Sequence, residues 1–578
     1  MSPRMLRPPL PALQSRPHAV TEPAVGGNLR AMNRPPAATI DYSSIKTLVI
    51  DSFPGMRSAL RNILSLFGMV TIDMASSAAD AIVRVRGRPY DLILSDYSLG
   101  DGQDGQQLLE QLRHTGLISL DTAFVMVTAE SYFEQVVATA ELIPDDYLIK
   151  PFNADSLHNR LDVILRRKSA FAAAYAHYAK GALKKAVAAC DDLIRSQPRY
   201  VVDAMRFKGE LLLAGGSHAE AEALYRQVID MRAVPWARLG IARSLHRQGR
   251  LDDSARLLAE VIETAPDMVA AYDLQADVQL ARKDTAGAQA SLQQGVAISG
   301  RTVRRQQRLG EVAYDNRDLE VARKACAATL DKGRHSIFVG TADYANLCRV
   351  QVEQGDLDAA LGTLRQHKSV LQGNPEGRLA TAVVEGMVHT RAGRADDAGR
   401  ALDEAQIHRQ SGARGDERLL LDLASACMVH GRHEEGDAIV GEVARNAHDS
   451  EALLARMRKL YADAGRVQAG AGVLAQATES VRRLNNEGAI LAQKGNLTEA
   501  LARMFQAADE APYNPRVAMN AAWIALRCID LHGLNPDVFE RARGLVGQAE
   551  RLAPGHVRLI GLHAQIREVE TRLPAPRR

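Results

Sequence analysis

The sequence predicts an α/β doubly wound, flavodoxin-like domain followed by an all-α superhelical solenoid of repeats, behind a disordered N-terminal tail. Three observations predict it. Short apolar runs alternate with amphipathic stretches from Ile45 to about Arg167, as buried parallel strands separated by helices do. From Ser169 onward the strands stop, and a glycine turn recurs about every 34 residues, the period of paired helices stacked in a row. Residues 1–44 hold eight prolines, several arginines and almost no acid. Such a segment has too little apolar surface to offset its ordering entropy.

The elements follow in order. Residues 1–44 form the predicted tail, with Met32 as an alternative start just before the ordered part. Thr47-Leu48-Val49-Ile50 is the first strand and ends at Asp51. Met56–Phe67 places Leu60, Ile63, Leu64 and Phe67 on one helical face. A second strand lies near Met69–Met74, and a helix runs through Ala78–Val85. Leu92-Ile93-Leu94-Ser95 closes on Asp96, before a helix over Gln106–Arg113. Phe124–Val127 closes on Thr128, and Ser131–Leu142 is the next predicted helix. Tyr147-Leu148-Ile149 closes on Lys150, which precedes Pro151. The last helix of this domain (residues 45–168) starts near Asn153 and faces inward with Leu157, Leu161, Ile164 and Leu165.

Residues 169–570 carry about ten repeat units, with 571–578 as a tail. The turn glycine is followed five positions later by a small residue at Gly181/Ala186, Gly216/Ala221, Gly355/Ala360, Gly393/Ala398 and Gly495/Ala500. The clearest units run from Val481 to Asn514 and from Arg167 to Tyr200. Others depart from the pattern: Lys283 and Arg317 replace the turn glycine, and Gly436 and Gly470 replace the small alanine. No Gly, Pro or Ser-rich linker separates Asn153 from Gly181, so a continuous or tightly abutted helix is expected there.

Composition narrows the class. A net charge of +3 over 578 residues gives no reason to expect nucleic acid. Five scattered cysteines without a C-x-x-C pair argue against a disulfide framework or a zinc site. Cys190 and Cys326 fall on inward helix faces and read as core. There is no apolar run of membrane-span length and no signal-peptide core, so a cytoplasmic protein is expected. Arg166-Arg167-Lys168 and Arg304-Arg305 lack a recognition-helix context and read as helix-end cations. His430, His433 and His448 lack metal-ligand spacing.

An open parallel sheet places its chemistry outside the carboxyl ends of its strands. Asp51, Asp96, Thr128 and Lys150 therefore converge on one edge. On these residues, and on Tyr147, the domain resembles the receiver domain of bacterial two-component response regulators over essentially its whole length. The resemblance implies that Asp96 accepts a phosphoryl group from a sensor histidine kinase or phosphotransfer protein. It further implies that Thr128 and Lys150 bind phosphoryl oxygens and that Tyr147 is an aromatic switch. Mg²⁺ would be held by Asp51, Asp96 and the Ser98 carbonyl. The sequence departs from the family at Ser52, where a second acid usually stands, so weak cation binding is expected. The loop Asp96–Gly105 is also one residue longer than usual, and Asp101 or Asp104 offers a substitute carboxylate. The repeats resemble tetratricopeptide repeats, which implies a protein partner of unknown identity rather than DNA. A non-enzymatic phosphoacceptor is thus expected. Two alternatives stand beside it: a pseudo-receiver adaptor acting without phosphorylation, and an FMN enzyme for which Ser52-Phe53-Pro54-Gly55 makes a poor phosphate cradle.

Overall fold

The computed structural model describes residues 40–129, 144–553 and 556–572. The helix predicted over Ser131–Leu142, residues 1–39 of the predicted tail and residues 573–578 lie outside the described residues. The described residues begin at Ile40, inside the stretch predicted as tail. Asp41 caps a 3₁₀ turn at Tyr42–Ser44, and the Tyr42 ring packs against Phe67 and His158.

Five strands make one parallel sheet in the order β2-β1-β3-β4-β5. They are β1 (Lys46–Ile50), β2 (Thr71–Ala75), β3 (Leu92–Asp96), β4 (Ala123–Ala129) and β5 (Asp146–Lys150). β2 begins two residues later than expected, because Met69 N–H still bonds the Leu64 carbonyl of the preceding helix and Gly68 turns the chain at φ 92°. Four described helices cover the sheet: α1 (Pro54–Leu66), α2 (Ala78–Gly87), α3 (Gly105–His114) and α4 (Ala154–Ala179). Alternate strand residues face opposite sides. Val49, Leu92, Leu94, Val125 and Val127 pack against Leu60 and Leu64 of α1 and Leu157 and Leu161 of α4. Leu48, Ile50, Ile93, Phe124 and Met126 pack against Ala81 and Val85 of α2 and Leu108, Leu109 and Leu112 of α3. This is the doubly wound arrangement.

The described residues fall into two compact units that divide between Thr302 and Val303. Helices packed against their neighbours in sequence make up the rest of the described first unit and the described second unit. α4 does not end near Lys168 but runs on to Ala179, and Phe171, Ala174 and Tyr175 bury in the first repeat. A second fusion occurs at Val467–Gln493, one helix of 27 residues that spans the expected start of the unit at Val481. No Gly or Pro interrupts either stretch at the junction, so nothing stops the helix.

The repeat turns explain the pattern of small residues. Gly181, Gly216, Gly355, Gly393 and Gly495 all adopt positive φ, between 69° and 83°. Ala186, Ala221, Ala360, Ala398 and Ala500 are fully buried. At the degenerate positions a neighbour has taken the space: a Cβ on Gly470 would lie 2.3 Å from Tyr461 Cγ, and one on Gly436 would lie 2.9 Å from Met428 Cγ. Lys283 and Arg317 keep the turn's backbone at φ 63° despite their side chains. A left-handed L-residue costs about 1–2 kcal/mol. Lys283→Gly is therefore expected to stabilise the chain by about 1 kcal/mol, read as a higher denaturant midpoint with unchanged slope.

Candidate functional site

The site forms where β1, β3, β4 and β5 end. Ile50 pairs with Ser95, Asp96 with Val127, and Ala129 with Lys150, so the polar residues that close these strands share one edge. Asp51 is buried, with Oδ1 accepting from the Phe53 N–H at 2.7 Å. The Arg57 guanidinium donates to the Asp51 and Ser52 carbonyls at 2.6 and 3.1 Å, pinning the start of α1. The Lys150 ammonium lies between the two carboxylates, 3.2 Å from Asp51 Oδ2 and 3.1 Å from Asp96 Oδ2.

Burial raises the Asp96 carboxyl above its ordinary range. Lys150 pulls it back and Asp51 adds to the rise. Thr128 is fully buried one residue past Val127, with its hydroxyl 3.3 Å from the Ala129 carbonyl oxygen. Tyr147, on the edge strand β5, is buried in the same apolar cluster as Tyr97 and Leu99, which raises its phenol. Ser98 and Ser52 are exposed at the rim. The structure thus brings Asp51, Asp96 and Lys150 into direct contact, with Thr128 on the neighbouring strand end.

The longer loop folds back on the site. Gly100 has φ 81°, and a Cβ there would lie 3.9 Å from Ser52 Cβ. Gly105 fits because a Cβ would meet the Asp96 carbonyl oxygen at 2.3 Å. Asp104 is not a free substitute for the missing acid. Its Oδ1 accepts from the Gln107 N–H at 2.7 Å in the capping box of α3. Asp101 is exposed. Among the described residues no group of three or more His, Cys, Asp or Glu side chains could hold a metal ion. Asp51 and Asp96, both within 3.2 Å of the Lys150 ammonium, supply the one or two carboxylates by which Mg²⁺ is usually held along with several waters and substrate oxygens.

Two groups escaped sequence reasoning. Arg301, 204 residues away, donates to the Tyr97 hydroxyl on the residue after Asp96. Its charge also acts on Asp104. The second group lies at the opposite end of the sheet. Asp145 takes Arg167 at 2.9 Å and Lys168 at 2.8 Å, with Arg113 at 3.9 Å. Lys168 also donates to the Leu120 carbonyl at 2.6 Å. Reading Arg167 and Lys168 as helix-end cations was therefore wrong: the helix continues, and both serve a buried counter-ion. Sequence carried no signal for this pairing, since Pro144-Asp145-Asp146 reads as a surface turn.

Residues 47–162 match the family described as response regulator receiver domain. Residues 171–235 and 212–278 each match a tetratricopeptide repeat family. Chemotaxis protein CheY-3 of Vibrio cholerae serotype O1 is 28% identical over 124 residues, which take in 22% of this chain and 94% of that protein. Transcriptional regulatory protein TcrA of Mycobacterium tuberculosis is 32% identical over 139 residues, 24% of this chain and 53% of that protein. A solved tetratricopeptide repeat protein from Parabacteroides merdae aligns with a TM-score of 0.28 at 12% identity, over 44% of this chain and 96% of that one.

Proposed function

This chain joins a response regulator receiver domain to tetratricopeptide repeats, and on that premise we propose that it is phosphorylated on Asp96 and signals through protein binding by its repeats. The observation that carries this reading is the Lys150 ammonium set between Asp51 and Asp96, 3.2 and 3.1 Å away. The donor is a phosphohistidine on a kinase or phosphotransfer protein. One Asp96 carboxylate oxygen bonds to phosphorus as the P–N bond breaks, the imidazole keeps the electron pair, and an acyl phosphate results. The partly desolvated carboxylate is the nucleophile. Lys150 turns from Asp96 to a phosphoryl oxygen, and the buried Thr128 hydroxyl donates to another. The added charge of about −2 then acts on Lys150, Thr128 and Tyr147.

Asp51, Asp96 and the Ser98 carbonyl would hold Mg²⁺, which when bound neutralises charge on the phosphoryl oxygens. Ser52 leaves this set one acid short. Ser52→Asp is expected to tighten Mg²⁺ binding at least about tenfold, checked by titration calorimetry on the full chain. Free cysteines and the lack, among the described residues, of a helix able to cross a membrane accord with work in the cytoplasm. The chain's own chemistry would be limited to self-phosphotransfer and later hydrolysis, so it is not proposed as an enzyme.

Two features support passage of the signal to the repeats. α4 runs unbroken from the sheet into the first repeat, and Arg301 holds Tyr97 beside the acceptor. The test is hydrogen exchange on the full chain with Mg²⁺ and beryllofluoride. Altered protection near α4 and Arg301, absent in Asp96→Asn, supports the reading. No Asp96-dependent change would sink it in favour of an adaptor acting without phosphorylation, a reading that the short metal-ligand set at Ser52 favours.

A further inference from the structure

The turn that follows the repeat helix Thr285–Ile298 reaches the loop that follows Asp96. Arg301 Nη1 donates to the Tyr97 hydroxyl at 2.5 Å. The turn that carries Arg301 is held from within, since Ser299 and Thr302 are buried and their hydroxyls lie 3.3 Å apart. Tyr97 closes the base of its own loop. Its N–H donates to the Val127 carbonyl at 2.9 Å, and its carbonyl accepts from the Gly105 N–H at 2.8 Å. Its ring is buried with Leu99, Leu108 and Tyr147, and its hydroxyl meets the repeats. Within the loop, Gly100 and Gly102 both stand at positive φ, 81° and 116°.

We propose that Arg301 is a positioning residue for phosphorylation of Asp96, a side chain of the repeat region that steadies the acceptor's loop through Tyr97. Glycine has the widest backbone freedom of any residue. A loop with three glycines among the ten residues Asp96–Gly105 therefore needs outside support to keep one shape. Attack by a carboxylate demands that its oxygen be aimed before the donor arrives, and a small misplacement costs much of the rate. Tyr97 follows Asp96 directly in the chain, so a hold on its far end limits the swing of the acceptor's own backbone. The Arg301 guanidinium also brings positive charge to the loop, felt at Tyr97 and Asp104. Positive charge there favours the charge of about −2 that a phosphoryl group adds. The receiver's competence thereby depends on the repeats, and a partner that draws residues 299–302 away from Tyr97 lowers it. The inference rests on the reading that Asp96 is phosphorylated.

The test uses the full chain and radiolabelled acetyl phosphate with Mg²⁺, followed as the initial rate of label uptake. Arg301→Gln and Tyr97→Phe are each expected to lower that rate about three- to tenfold, the scale of one charge-assisted hydrogen bond. Arg301→Lys, which keeps the charge, is expected to recover part of the loss. The Gln and Phe changes made together are expected to cost no more than the larger one alone, because both remove one contact. Arg256→Gln, at an arginine whose side chain is 78% exposed and pairs with Asp253, is expected to change nothing. Hydrogen exchange without any phosphoryl donor is expected to quicken over residues 97–105 in Arg301→Gln. Circular dichroism checks each fold, and Arg301→Met replaces Arg301→Gln if the latter unfolds. The inference is overturned if exchange over residues 97–105 is unmoved, if the two changes add in full, or if Arg256→Gln slows uptake as much. An unaltered chain that takes no label would sink the phosphorylation reading together with this inference. Uptake by Arg301→Gln within about twofold of the unaltered chain would sink this inference alone.

Discussion

Asp145→Asn is expected to destabilise the first unit by about 3–5 kcal/mol, the scale for stripping one partner from a buried ion pair. Asp145 is the acid within 4.0 Å of Arg113, Arg167 and Lys168. Burial by itself pushes this carboxyl up, but Lys168, Arg167 and Arg113 together hold it below its ordinary range. Without it, three cations crowd a desolvated site with no charge to oppose them. Urea unfolding followed by circular dichroism measures the loss, and a change below about 1 kcal/mol would mean the cluster is solvated. The same site makes a pH prediction. Burial, only partly offset by Asp145, brings Lys168 down to about 8 from 10.5. Between those values the unfolded chain binds the extra proton, so this group's contribution to stability rises with pH across the window. Lys168→Met is expected to flatten that slope.

Asp96→Asn is expected to abolish phosphate incorporation from acetyl phosphate, a fall of at least about a hundredfold, since an amide cannot form the acyl phosphate. The same change is expected to raise the melting temperature. The folded pKa of Asp96 is raised, mainly by burial, so its ionised form is disfavoured in the folded chain and its stabilising contribution is lost as pH rises. Removing that charge at neutral pH gains stability while losing function, the usual trade at a charged site. Label retained by Asp96→Asn would place the acceptor elsewhere. A lowered melting temperature would show that the Lys150 contact outweighs the burial.

Much of this site was legible because a parallel sheet makes it so. Strands buried on both faces read as apolar runs, and the first polar residue after each run must stand at the carboxyl edge. That logic places Asp51, Asp96, Thr128 and Lys150 without coordinates, and the structure sets Lys150 between the two acids. The repeat turns were legible for a similar reason, since positive φ favours glycine. Lys283 and Arg317 broke the pattern in sequence but not in backbone, because neighbouring helix pairs fix the turn whatever residue fills it.

The sequence by itself determined the strand ends and the helix-pair period, because each rests on local periodicity; the acid missing at Ser52 came from the resemblance to receiver domains. Tertiary structure alone decided that Asp145 gathers Arg113, Arg167 and Lys168, and that Arg301 reaches Tyr97. A charge or hydrogen bond acts through space over a few ångströms, and partners tens to hundreds of residues apart leave no mark on each other's local sequence.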